Sequence, residues 1–348
     1  MNLMLPVRAL PAVLLSSIVI SVLVATATAQ SVPHTRALPS YAQGAYLGSA
    51  SSFPFGRTGG LLQYWIRADQ VGQAGAVTAI GSRPSRGYTG AARTQTYELK
   101  ADLSTLAYGA FTNVFANNLG ATTRVIHANK SVSIPATTGG TDPDAFAAMI
   151  ALDTPLILVP GRNLVLEFNL GSAVGALSAP YNSDLTTLST SAYKHASSDP
   201  SCGGTLTASG SSTAPYALAL TGAAPQRFAL FMLSASASLW GGIPLPFKLD
   251  PIGLTGCLLS VDPMINIALP TDANGNATLS IPFTAPAEAV VLYAQALHED
   301  ATQKLVTSNL ARSLLGGTGF CRYIYNFTVD GATAQNGPNE WSAALLVR

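Results

Sequence analysis

The chain has 348 residues, enough for about two domains, and only 10% of them are charged against 48% hydrophobic. A typical soluble domain carries ~25% charged residues, and long surface helices need Lys, Glu and Arg, so this composition argues against a helical protein and for short strands with uncharged Ser/Thr faces. The balance of 18 basic and 17 acidic residues leaves no basic stripe for nucleic acid and no polybasic patch for anionic lipid.

Residues 1–29 read as a cleaved signal peptide. Arg8 supplies the positive start, Ala12 to Val24 the apolar run, and Ala27-Thr28-Ala29 the small-residue cleavage site. The run is interrupted by Ser16, Ser17 and Ser21 and has no basic flank after it. A retained anchor is the competing reading. No later stretch is long and apolar enough to span a bilayer. The mature chain is therefore expected outside the cytoplasm, secreted or at the cell surface. Export makes disulfides permissible. Of Cys202, Cys257 and Cys321, the first two fall within one module and are the pair expected. Cys321 is then left over, although a Cys257–Cys321 pair is the alternative.

The segment 30–60, rich in Ser, Gly, Ala and Pro, reads as an arm. Leu61 to Arg67 and Val77 to Ile80 read as strands. Thr94 to Lys100 alternates Thr94, Thr96, Glu98 and Lys100 against Gln95, Tyr97 and Leu99, the period of a half-exposed strand. Between 102 and 124 the apolar spacing is mixed and a short helix is expected. Val125-Ile126 and Ser131 to Ile134 are strand fragments. Phe146 to Leu152 is ambiguous, since Phe146, Met149 and Ile150 have helical spacing and Asp144 could cap, but Pro155 and the brevity of the run favour a strand; Leu156 to Val159 reads as a further strand. After the Pro160-Gly161 turn, Leu164, Leu166, Phe168 and Leu170 alternate with Val165, Glu167 and Asn169.

Residues 171–210 are poor in bulky apolar side chains, and the boundary between two modules is placed near Ser198-Asp199-Pro200. Further strands follow at Thr205 to Ala208, Tyr216 to Leu220 and Phe228 to Leu233. Asn274-Gly275 reads as a two-residue primed hairpin turn, since both residues tolerate φ > 0, with Ile265 to Leu269 before it and Ala277 to Ile281 after. Val290 to Leu297 is apolar on both faces, as a central strand would be; helix is the competing reading for this segment. Ser308 to Leu314 is a strand. Tyr323 to Val329 and Ala343 to Val347 are expected to close as a hairpin.

The order of several short motifs resembles a known pattern. Cys202 to Ser236 opens it. Pro244 to Asp250 (PLPFKLD), Gly256 to Leu259 (GCLL), Thr271 to Ala277 (TDANGNA), Ile281-Pro282, Leu292 to Ala296 (LYAQA) and Ser308-Asn309 follow in sequence. In this order they resemble the C-terminal module of secreted two-module β-sandwich proteins of planctomycete-type environmental bacteria. Gly161 to Leu170 resembles the N-terminal module of the same proteins. The resemblance implies secretion and a β fold, with no activity attached. The segment after Gly317, with Cys321, departs from the usual end of the module.

These readings combine into an all-β protein of two β-sandwich (jelly-roll or Ig-like) modules: 30–198, 199–317, and a C-terminal β-hairpin extension at 318–348. Several constellations were weighed for chemistry. No Gly-x-Ser-x-Gly turn is present for a serine nucleophile, and a triad would need His127, His195 or His298. His298-Glu299-Asp300 is the sharpest cluster and is expected to be a polar turn. Asp142 with Asp144, or Glu98 with Glu167, would supply paired carboxylates for a glycosidase; Asx turns and solvated strand faces are the simpler reading. Asp272 and Asn274 fall short of a calcium loop, and the cysteine spacings match no zinc site. No catalytic residue, metal or cofactor is therefore assigned. For binding, Trp65, Trp240 and Trp341 are the candidates to stack on sugar rings, Trp240 foremost because Gly241-Gly242 after it suggests a loop; buried packing is the commoner fate of a tryptophan. The expectation is a non-catalytic extracellular structural or adhesive protein. Its partners would be extracellular polysaccharide or cell-envelope components. A carbohydrate-binding module and a secreted hydrolase are the alternatives.

Overall fold

A computed structural model describes residues 36–42, 49–52, 54–71, 74–85, 87–138, 148–175, 183–187, 194–197, 202–237, 239–282, 290–316, 321–328, 331–339, 341–343 and 345–348. The signal-peptide segment and the Asp142/Asp144 loop lie outside the described residues. The described chain is all-β, built from antiparallel sheets.

The first sandwich packs a four-stranded sheet on a six-stranded one. The four-stranded sheet runs Arg36–Leu38, Leu345–Val347, Gly75–Ser82, Ala148–Leu158. The six-stranded sheet runs Asn336–Asn339, Cys321–Asn326, Leu61–Ile66, Asn163–Gly175, Arg93–Ser104, Arg124–Ile134. The two-residue periods read from the sequence set the layers. Tyr97, Leu99, Leu164, Leu166, Phe168 and Leu170 all point into the shared core with Leu62, Tyr64, Ile126 and Ile150. The opposite face of the large sheet is covered too. Trp65, Val165 and Ile324 pack there under Phe111 and Phe115, which come from the 105–123 segment. That segment is not an α-helix: it forms two 3-10 turns, Tyr108–Ala110 and Phe115–Asn118. The separate strands expected before and after Pro155 are one. Ala148–Leu158 is one strand, and Pro155 sits where the pairing slips, Val77 opposite Leu156 but Ala79 opposite Ala151, on an edge strand that needs no N–H from it.

The second sandwich has a large sheet in the order Lys194–Ser197, Ala311–Leu315, Val290–Glu299, Phe228–Ser234, Ile265–Pro270, with Leu305–Thr307 added beside Val290–Glu299. Its small sheet is Thr205–Ser211, Ala214–Thr221, Ala277–Ile281. Leu206, Tyr216, Leu218, Leu220, Phe231 and Ala296 fill the space between the two. Val290–Glu299 pairs on both sides, as its two apolar faces require. The far face of the large sheet carries Met232, Val291 and Tyr293. These join Leu249, Leu259 and Val261 from the covering segment, and belong to the same apolar cluster as the first sandwich. Tyr41, from the N-terminal arm, lies among Arg312 and Tyr293 of the second sandwich; burial drives its hydroxyl pKa well up, Arg312 partly opposing.

Three expectations about organisation are corrected. First, the 318–348 segment is not a hairpin appended to the second module. Cys321–Asn326 pairs with Leu61–Ile66, whereas Leu345–Val347 pairs with Arg36–Leu38 and Gly75–Ser82 in the other sheet. Both complete the first sandwich. Second, Lys194–Ser197 already pairs with Ala311–Leu315, so the chain enters the second sandwich before residue 198. The second sandwich is thus inserted between the early and late strands of the first. Third, Asn274-Gly275 does not close a hairpin. Ile265–Pro270 pairs with Phe228–Ser234 and Ala277–Ile281 with Ala214–Thr221, so the turn carries the chain from one sheet to the other. A type I′ turn needs φ > 0 at both central residues and a type II′ turn at the first; of Asn274 and Gly275 only the second has it, at 77°.

Cys202 and Cys257 form a disulfide with a Cα–Cα distance of 5.0 Å, 55 residues apart in sequence. It ties the start of the small sheet to the segment covering the large one. Cys321 takes no part in that bond and is buried in the first sandwich. Reducing the bond should lower unfolding free energy by about 2–4 kcal/mol, because the unfolded chain regains the entropy of an open loop. Denaturant midpoints with and without reductant measure this; equal midpoints would refute it.

Candidate functional site

Trp65 is corrected first. It lies on the covered face of the large sheet, is 1% exposed, and donates from Nε1 to the Leu106 carbonyl at 2.9 Å. A ring clamped between Val165 and the 105–123 segment has no free face for a sugar. Trp240 is different. Leu239–Trp240 and Ile243–Pro244 form a miniature hairpin across Gly241-Gly242, both at positive φ, 53° and 92°. This is the primed turn that two glycines permit. Trp240 is half-buried and leans on the apolar cluster, while Leu239 and both glycines are exposed. The side chain of Trp341 lies outside the described residues.

Glu98 and Glu167 do come together, on adjacent strands with Lys100 between them. Lys100 Nζ is 2.9 Å from Glu167 and 3.5 Å from Glu98. Glu167 also accepts from Gln63 Nε2 at 2.6 Å, and Asn118 Nδ2 donates to Gln63 Oε1 at 3.0 Å. Burial disfavours the Lys100 charge, but the two carboxylates outweigh it and raise its pKa. Glu167 does not face water, as its alternation had implied, because the 105–123 segment closes over it. The cluster is an internal anchor: Gln63 also donates to the Phe115 carbonyl at 3.0 Å and so holds that segment down.

His298 is fully buried, its Nδ1 2.9 Å from the Glu299 carbonyl and its Nε2 3.2 Å from the Gly203 carbonyl. It bridges strand and loop, and is not a polar surface turn. Asp300 makes that turn: its Oδ1 accepts from the Thr302 and Lys304 amides at 2.8 and 3.0 Å. The pair that most resembles a nucleophile and base is Ser313 with His195, whose Nδ1 lies 3.0 Å from Ser313 Oγ. Sequence reading missed Ser313, since no motif marks it. Ser313 is fully buried, donates to Tyr216 Oη at 3.1 Å, and leaves no room for a substrate carbonyl. Burial lowers the His195 pKa and pushes the Tyr216 pKa up to about 12, with the Ser313 bond partly offsetting it at Tyr216. His127 Nδ1 is 2.9 Å from the Ala151 carbonyl and is buried between the two sheets' edge strands.

The Asp272 carboxylate accepts from the Asn274 and Asn276 amides, both at 2.8 Å. These bonds, that of Asn276 first, hold its pKa below the ordinary 3.8. A depressed carboxylate pKa stabilises the fold above 3.8 and loses that contribution as pH falls through the folded-state value. Both bonds go to Oδ1, so the Asp272 side chain serves the turn. No cluster of three or more His, Cys, Asp or Glu side chains occurs among the described residues.

One cavity stands apart from these scaffolding groups. It opens where the first sandwich's two sheets part, beside the turn joining Ala148–Leu158 to Asn163–Gly175. It measures about 390 Å³ and is lined by Leu103, Leu156, Ile157 and Val159 together with Arg124 and Arg162.

By strand pairing this is an all-β protein of two sandwiches, one inserted in the other. Comparison with family models, with curated proteins and with solved structures finds no match for this chain. No helix among the described residues is long and apolar enough to cross a membrane.

Proposed function

We propose that the chain is a secreted, non-catalytic structural or adhesive protein of the cell exterior. One observation carries this reading. Among the described residues, the candidates for acid–base or nucleophilic work singled out above serve the scaffold: Glu167 under its covering segment, His298 between two carbonyls, Ser313 and His195 inside the second sandwich. The signal-peptide pattern, the Cys202–Cys257 bond and the resemblance to secreted two-module proteins support the location. The purified mature protein is tested on a panel of polysaccharides and cell-envelope preparations, with products assayed in the same wells. Retention or self-association without product is the expected result. Turnover abolished by His298→Ala or His195→Ala, in a variant that remains folded, would overturn the reading in favour of a hydrolase.

A second reading, carbohydrate binding, rests on the Trp240 hairpin. Trp240 is half-buried beside an exposed two-glycine turn, so part of its indole is open to a ligand. Trp240→Ala should weaken retention on a bound polysaccharide at least tenfold, which corresponds to about 1.4 kcal/mol. Unchanged retention would remove this reading.

A further inference from the structure

We propose that the cavity in the first sandwich binds a small amphiphilic carboxylate, a hydrocarbon body ending in an anionic head. This goes beyond the adhesive reading and does not depend on it.

The floor of the cavity is apolar. Leu156 is buried and Leu103 partly so, whereas Ile157 and Val159 stand 50% and 44% exposed at its wall. A β-branched side chain at half exposure is a modest cost to a soluble protein, and two beside one another at an opening mark a surface that gains from cover. The volume, about 390 Å³, falls within the ~300–1,000 Å³ of small-molecule sites.

Its rim is cationic. Arg124 begins one edge strand and Arg162 sits in the turn after Ala148–Leu158, so two separate elements each bring an arginine to the lining of one opening. Among the described residues neither side chain makes a hydrogen bond or ion pair. The nearby acids are engaged elsewhere. Asp102 accepts from the Gly120 amide at 2.9 Å and from Thr122 Oγ1, and Asp153 is held by Lys130 and the Ala128 amide. An arginine fork matches a carboxylate in two parallel bonds, and the chain shows that geometry at Arg67 and Asp69, where Nε and Nη2 reach the two oxygens at 2.6 and 2.8 Å. Two unengaged cations above an apolar floor complement a ligand that is charged at one end and oily along the rest.

Octanoate is titrated into the full mature protein by calorimetry at neutral pH and low salt, with acetate and 1-octanol as the head-only and tail-only probes. Saturable octanoate binding is expected, with each partial probe at least tenfold weaker. An Arg124→Gln/Arg162→Gln double variant should lose at least tenfold in affinity. Val159→Glu, which sets an acid at the rim, should abolish binding. All three positions are exposed, so both variants should unfold at the wild-type temperature. Absence of saturable octanoate binding, equal binding by the folded double variant, or 1-octanol binding as tightly as octanoate would each overturn the assignment.

Discussion

Removing residues 318–348 should leave a chain unable to fold its first sandwich. The deletion takes out Cys321–Asn326, which lies between Leu61–Ile66 and Asn336–Asn339, and Leu345–Val347, which lies between Arg36–Leu38 and Gly75–Ser82. Asn336–Asn339 goes with the deletion, and three remaining strands, Leu61–Ile66, Arg36–Leu38 and Gly75–Ser82, each lose a paired neighbour. Cys321, Tyr323, Ile324, Leu345 and Val347 are all buried. At about 1.5–3 kcal/mol per buried apolar side chain, their loss amounts to roughly 10 kcal/mol, comparable to the ~5–15 kcal/mol that holds a whole domain together. The newly bare edges would also be aggregation sites. Expression of the truncated chain should yield insoluble material, or a soluble form in which Leu61–Ile66 amides exchange freely. A dispensable appendix would instead come off with native protection intact, and that result would refute the interleaved architecture.

Gly275→Ala is expected to destabilise the fold by about 2–5 kcal/mol. Two effects add. The residue sits at φ 77°, a region that costs a Cβ-bearing residue about 1–2 kcal/mol. A Cβ there would lie 1.9 Å from the Ala223 carbonyl oxygen, and that neighbour is backbone. The same residue accepts a bond from the Ala223 amide at 3.1 Å, so easing the clash breaks the contact that holds the corner. Overpacking of this kind costs about 1–3 kcal/mol. Asn274→Ala is the informative companion. In a primed hairpin Asn274 would also need φ > 0 and its loss would hurt; in the observed corner it should cost less than about 1 kcal/mol. Chemical denaturation of both variants separates the two geometries. Equal, large losses at both positions would restore the hairpin.

Much of the local structure was legible because the period of two reports burial directly. Asn163–Leu170 and Thr94–Lys100 show the expected inner faces, and Val290–Leu297 is central. The Cys202–Cys257 pair was legible as well, from module membership. The misreadings share a cause. Glu167 alternates correctly but its outward face is roofed by the 105–123 segment, and alternation cannot tell solvent from a second layer. Trp65 was misplaced for the same reason. Ser313 beside His195, and Arg124 beside Arg162, carry no spacing signal, since each pair is joined by the fold.

Composition and periodicity alone determined the all-β class, the strand faces and the central place of Val290–Leu297, because each depends on which side chains leave water along one short segment. Partner choice did not follow from them. An antiparallel strand with an apolar face is satisfied by any neighbour of matching length, so nothing in Cys321–Asn326 names Leu61–Ile66 as its partner. Only the packed structure decided that the chain's end completes its beginning. It also decided that Asn274-Gly275 turns a corner between sheets, and that two distant arginines share the mouth of one apolar cavity.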